Sequence, residues 1–355
     1  MRLQPALPCL CVLAWVIGRL AAQSPADTRV PAGYKLAPGP FKVASENLVL
    51  EDGKRHKNLE ITVRYPVVDA GADLQFPLVV FSHGAGGSRA AFTELTTHWA
   101  SNGYVVVLPT HSDSIELRRR QGEDLTRLSR NLSSLLTDVR PLDRLADIVF
   151  LLDSIPELER KLPGLRNASD KGRIDTSRIA MAGHSAGALT TQMVSGVKVR
   201  AGGLAAAPRD IGDARIKACI LVSGQGTTNR LFTDQSWADL AKPMLVITGS
   251  KDVAAIGNET TASRREPFEK ARPGDKYLLF IEGATHSSYQ GKDRALALDP
   301  SQPTDDELGM ITGATSAATQ AFLDAYLKDD RKGRAWLLSD GISILTAGKA
   351  TLNHK

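Results

Sequence analysis

The pentapeptide Gly183-His184-Ser185-Ala186-Gly187 carries the plainest chemistry in this chain. It follows Ile179-Ala-Met-Ala182, apolar and small residues suited to a buried strand, and precedes Ala188, Leu189 and a run that reads as helix. Strand, sharp turn and helix with a serine at the apex is the G-x-S-x-G nucleophile elbow. The two glycines have a steric task. A serine held in a strained turn draws its neighbours against the adjoining strand and helix, where a side chain would collide. The turn lifts the Ser185 hydroxyl into the open and aims the Ala186 amide at a developing oxyanion. A glycine-rich turn after any strand can show the same five letters. The rest of the chain must therefore supply a base, an acid and a second oxyanion donor.

A serine hydroxyl is a weak nucleophile at neutral pH. It needs an imidazole within hydrogen-bond reach and a carboxylate to fix the imidazole tautomer. In sheets that carry an elbow these follow in the order Ser, Asp or Glu, His. Beyond the elbow the histidines are His286 and His354. His286 comes just after the apolar run Tyr277 to Ile281 and is the candidate base. Asp252 follows the run Met244 to Thr248, at the carboxyl end of a strand, where ligand sites of open α/β sheets lie. Asp234, Asp239 and Glu282 are rival acids, but none follows a strand end so directly. The loop His83-Gly84-Ala85-Gly86-Gly87, after the run Pro77 to Phe81, fits the second oxyanion donor. Ala85 is the first choice of amide and Gly86 the next. His83 precedes Ser185, the wrong side for a base in this order, and reads as a residue that holds the loop. His184 packs beneath or beside the site. Gly86, His111 and His184 are candidates to line a substrate pocket.

Other chemistries find no footing. There is no H-x-x-x-H and no cysteine pair after the N-terminal segment, so no metal site is expected. With no P-loop and no G-x-G-x-x-G after the first strand, no nucleotide or other cofactor is expected either. The net charge of +5 is spread along the chain. Its one tight cluster, Arg118-Arg119-Arg120, is flanked by Glu116, Glu123 and Asp124 and reads as a solvated helix face, not a nucleic-acid surface.

These residues need a scaffold that brings strand ends to one edge. Partial alternation predicts strands at Phe41 to Leu50 and Leu59 to Tyr65. Short continuous apolar runs predict buried strands at Pro77 to Phe81, Tyr104 to Leu108, the elbow, Ile216 to Val222, Met244 to Thr248 and Tyr277 to Ile281. Helical patterns lie at Ala90 to Asn102, Asp138 to Leu158, Thr261 to Ala271 and Ser316 to Leu327. The alternation predicts a mostly parallel sheet of about eight strands with helices on both faces. The leucine-bearing, charged stretch 110–137 is a helical excursion over the site or an extension of the next helix. The part from Ser112 to Thr137 is either a lid or surface structure. Cys219 lies in an apolar run and reads as a core residue.

At the N-terminus, Arg2, the apolar run Cys9 to Gly18 and Leu20-Ala21-Ala22 read as a signal peptide over residues 1–22. The run is too short to span a bilayer. An uncleaved anchor is the alternative. Residues 23–40 read as a leader, 41–330 as the catalytic domain and 331–355 as a tail without pattern. The expected product is a secreted or periplasmic protein whose mature chain has no membrane span. Nothing specifies an oligomeric state.

With these residues in place, the chain resembles the α/β-hydrolase superfamily. Within it, the chain is most similar to the dienelactone-hydrolase-like esterases, including the plasma-type platelet-activating-factor acetylhydrolases. The likeness rests on Pro77-Leu-Val-Val-Phe-Ser-His-Gly-Ala-Gly86, Gly103-Tyr-Val-Val106, His111-Ser-Asp113 and the elbow, and covers roughly Phe41 to Leu327. It implies the α/β-hydrolase fold and a serine carboxylic-ester hydrolase that works through an acyl-enzyme on a small-molecule or lipid-like ester. It also implies an oxyanion amide just after the His-Gly pair, at Ala85. Two departures stand out. Those acetylhydrolases carry their acid one strand earlier, yet Ser223-Gly-Gln-Gly-Thr-Thr228 holds no carboxylate, so Asp252 follows the wider superfamily. The elbow continues Ala186-Gly187-Ala188, where those relatives usually have a larger residue and a second glycine, which implies an opened acyl pocket; together with Ala85 these small residues imply a short acyl chain. An acyltransferase, a peptidase or a lipid or polyester hydrolase with the same three residues stays open.

Overall fold

Apolar runs too continuous for a one-sided sheet must be covered on both faces, and they are. The computed structural model describes residues 32–126, 134–203, 205–254, 257–293 and 303–355. The expected signal peptide and residues 23–31 of the expected leader lie outside them. The strands are β1 (Val43–Asp52), β2 (Lys57–Pro66), β3 (Phe76–Ser82), β4 (Val105–Pro109), β5 (Ile174–His184), β6 (Ile216–Val222), β7 (Met244–Lys251), β8 (Lys276–Thr285) and β9 (Ala350–His354). They form one sheet in the order β1-β2-β4-β3-β5-β6-β7-β8-β9. From β4 to β8 neighbours run parallel; β1, β2 and β9 are antiparallel.

The helices Pro141–Asp153, Ala186–Ser195 and Thr261–Glu269 pack on the sheet, the first two against each other, while Thr93–Ser101 packs against Asp305–Leu327. One apolar cluster joins β1 to β5 with Ile148, Leu151, Ile155 and Leu158. A second joins the elbow helix to β6 and β7 through Leu189, Met193, Cys219, Trp237 and Val246. Each such side chain taken from water contributes about 1.5–3 kcal/mol. Cys219 is fully buried, as its apolar run predicts.

Three differences from the sequence reading have physical causes. The helix expected over 138–158 breaks at Ser154 into Pro141–Asp153 and Ile155–Lys161, because Pro156 has no N–H and its ring blocks a continuous helix. The helix expected from Ser316 starts at Asp305 instead. Gly309 and Gly313 weaken the pattern there, but Thr304 and Glu307 cap each other's backbone amides and begin the helix. Finally, residues 331–355 are no tail. They form the helices Arg331–Leu337 and Gly341–Leu345 and then β9, the ninth strand, which pairs with β8. Trp336 is fully buried there.

Candidate active site

The elbow forms where β5 meets its helix. Ser185 has φ 53° and ψ −119°, a strained turn at the N-cap of Ala186–Ser195. Its neighbours leave no room for side chains. A Cβ on Gly183 would lie 2.3 Å from the Gly187 carbonyl oxygen, and one on Gly187 would lie 1.9 Å from that of Ser82. The backbone of β3 thus presses directly on the turn. Two residues past Ser82, Gly84 faces Ser185: a Cβ there would stand 3.5 Å from the serine Cβ.

Three side chains converge on the carboxyl edge of the sheet. His286, just beyond β8, places Nε2 3.0 Å from Ser185 Oγ and Nδ1 3.0 Å from Asp252 Oδ1. Asp252 follows β7 and is fully buried. Its Oδ2 accepts hydrogen bonds from Ser223 Oγ (2.6 Å), Thr248 Oγ1 (2.9 Å) and Tyr289 Oη (3.4 Å). Burial pushes the Asp252 carboxyl upward, but the Arg264 guanidinium, His286 and the Ser223 hydroxyl outweigh it and hold the group well below the usual carboxylate range. The rival acids are elsewhere. Asp234 and Asp239 are exposed and paired with Lys270 and Lys198, and Glu282 is exposed.

The amides expected at the oxyanion position are free. Neither Ala186 nor Ala85 donates its N–H to an acceptor among the described residues. The runner-up is excluded: the Gly86 N–H is taken by Asp113 Oδ2 at 3.0 Å. Asp113 is itself gripped by Arg144, whose Nε and Nη2 lie 2.8 and 2.7 Å from its two oxygens. The same guanidinium donates to the His83 and Gly84 carbonyls at 2.7 and 3.1 Å. A buried arginine–aspartate pair therefore fixes both polarities of the loop around Ala85.

His111 is not a pocket residue. It is fully buried, with Nδ1 on Asp147 and Nε2 on the Ser82 hydroxyl, both at 2.8 Å. Its own amide donates to His83 Nε2, which leaves the His83 Nδ1 hydrogen for the Gly84 carbonyl. Burial, reinforced by nearby Arg144, pushes both imidazoles down and keeps them neutral. His184 is also buried. Its Nε2 donates to the His286 carbonyl at 2.7 Å, and burial followed by repulsion from His286 pushes its pKa down to about 3. It props the base and takes no proton. Ala188 faces the core cluster, not a pocket.

The excursion after β4 is tied to the site. The Ile115 amide donates to the Gly86 carbonyl, and Arg118 pairs with Glu123 and with Asp138 at 2.6 Å. At its far end, Leu136 lies against Gly257, five residues past Asp252. Its described ends therefore flank the Ser185 strand. Residues 127–133, part of the stretch read as a lid, lie outside the described residues. A polar cleft of about 810 Å³ opens beside it, lined by Lys57, Ser112, Asp113, Arg118, Arg140 and Asp143 among others, and includes none of Ser185, Asp252 and His286. Among the described residues no three of His, Cys, Asp and Glu cluster as a metal site would require, and no helix is long and apolar enough to cross a membrane.

A ferulic acid esterase from Streptomyces cinnamoneus has a similar structure, with a TM-score of 0.56 over 90% of this chain and 99% of that one at 20% identity. The chain has the α/β-hydrolase fold. Residues 45–122 of the chain, from β1 through the Ile115–Arg120 helix, also match the family of platelet-activating factor acetylhydrolase, isoform II. That match spans the Ala85 loop, His111 and Asp113.

Sequence reasoning missed Arg144, Asp147, Arg264 and Tyr289. Arg144 and Arg264 sit in helices whose letters alternate charge with apolar residues as any surface helix does. Only the packing turns them inward.

Proposed function

We propose that this α/β hydrolase is a secreted serine carboxylic-ester hydrolase. Ser185 Oγ attacks the ester carbonyl while His286 Nε2 takes its proton. Asp252 holds the tautomer with hydrogen on Nδ1 and balances the imidazolium charge. The Ala186 and Ala85 amides stabilise the oxyanion, aided by the positive end of the elbow helix. The imidazolium protonates the leaving alcohol, giving an acyl-serine, and His286 then activates water to release the acid. The observation that carries this reading is the unbroken relay Ser185 Oγ, His286 and Asp252, with 3.0 Å at each step.

An ester is favoured over an amide by the esterase-type relatives. A short acyl group is supported by small Ala85 and Ala186 alone, since Ala188 faces the core. Export rests on the pattern of residues 1–22, and N-terminal sequencing of the mature protein checks it. Ser185→Ala is expected to abolish hydrolysis of p-nitrophenyl acetate and labelling by a fluorophosphonate, with the circular dichroism spectrum retained. Wild-type turnover in that variant would refute the reading. Product analysis with competing alcohols and amines separates hydrolysis from acyl transfer.

A further inference from the structure

A serine–histidine–carboxylate relay needs only one charged partner for its imidazole, yet here a second charge stands against the same two groups. Arg264, on the helix Thr261–Glu269, is buried. Its Nη1 is fixed by the Ser223 and Gly224 carbonyls at 2.7 and 3.0 Å. That anchor turns Nη2 to within 3.2 Å of His286 Nδ1 and Nε to within 3.0 Å of Asp252 Oδ1. The Nε–H is not aimed at the carboxylate and makes no hydrogen bond, so this contact is purely ionic.

The geometry has a consequence for the proton on the ring. In the tautomer that Ser185 requires, Nδ1 carries hydrogen toward Asp252 and Nε2 accepts from the serine. The guanidinium then meets a donor, not an acceptor, and gains nothing from the ring. Once the ring takes a second proton, two cations share one carboxylate oxygen. The other groups facing the pair do not offset this. His184, behind the ring, is neutral, and Tyr289, Ser223 and Thr248 donate to the other oxygen of Asp252.

We propose that Arg264 is a positioning residue that sets the protonation balance of the Asp252–His286 pair. It keeps the carboxylate ionised and sets a second cation against any second proton on the ring. This deepens the esterase reading and rests on it.

The test is the pH dependence of kcat/KM for p-nitrophenyl acetate in wild type, R264M, R264Q and R264K, with the rate of fluorophosphonate labelling followed in parallel. The acid limb of such a profile reports loss of the free base. Removing a cation at this range is expected to move that limb to higher pH by about one unit or more in both neutral variants. R264K, which keeps the charge, is expected to stay close to wild type. A purely structural role would lower rates without moving the limb. Gln keeps an amide donor for the Ser223 carbonyl, so R264Q carries the comparison if R264M does not fold. An acid limb unmoved in the neutral variants, or moved as far in R264K, overturns the proposal. A wild-type protein that is never labelled at any pH overturns the esterase reading instead.

Discussion

Replacing Arg144 with Met tests how the loop around Ala85 keeps its shape. The side chain is buried and makes four contacts of 3.1 Å or less, two to Asp113 and two to loop carbonyls. Burial alone pushes the Asp113 carboxyl upward. The Arg144 guanidinium outweighs it and holds the group well below the ordinary range. Without Arg144, a buried carboxylate keeps only the Gly86 amide and neutral imidazoles near it. Breaking one partner of a buried pair costs about 3–5 kcal/mol, a large part of the ~5–15 kcal/mol that holds a typical protein folded. The loop also loses the donor to its two carbonyls, so the Ala85 amide leaves the position it needs. A lost oxyanion donor costs roughly 10²–10³ in kcat. Urea unfolding at pH 7 measures the first effect, and kcat for p-nitrophenyl acetate on the folded protein measures the second. The double variant Arg144→Met, Asp113→Leu is expected to regain much of the stability, because no charge is left stranded, and little of the rate. Unchanged stability and full kcat in Arg144→Met would refute the reasoning.

Two further outcomes follow from the structure. Gly187→Ala pushes a methyl group to 1.9 Å from the Ser82 oxygen, so either β3 or the elbow must move; thermal melting should show a large loss of stability, and a melting temperature equal to wild type would contradict that contact. For Asp147, burial pushes the pKa up, but His111 and Lys57 outweigh it and bring it down to about 2 from an ordinary 3.8. A depressed carboxyl stabilises the fold above its unfolded value and loses that contribution as pH falls from about 4 to about 2, here about 2 kcal/mol. Urea midpoints taken between pH 5 and 2.5 should fall less steeply in Asp147→Asn, and an unchanged slope would count against this assignment.

The parts of the fold legible in the letters were those specified by local pattern. The buried strands announced themselves because a central parallel strand is apolar on both sides, and β3, β6 and β7 appear within a few residues of where their runs predict. The candidates Ser185, Asp252 and His286 could be picked out because each comes within five residues of the end of such a run. β9 was not. Ala350-Thr-Leu-Asn-His354 is half polar, as an edge strand with one solvated side should be, and only its partner β8 defines it. The pocket role expected of His111 failed for a related reason. A histidine two residues past a strand end can face either way, and Asp147, in a helix far along the chain, decides that it faces in.

The placement of β9 bears on the order in which the molecule is made. The strand that leads to His286 gains its outer neighbour only from residues 350–354, and the Lys355 backbone exchanges hydrogen bonds with Lys276 at the same edge. These residues leave the ribosome well after Ser185, Asp252 and His286. By then the serine and its carboxylate have long been synthesised, but the bed beneath the imidazole is still bare on one side. A nascent chain stalled before residues 350–355 emerge should therefore be inert, and turnover should begin only once they have joined the edge of β8.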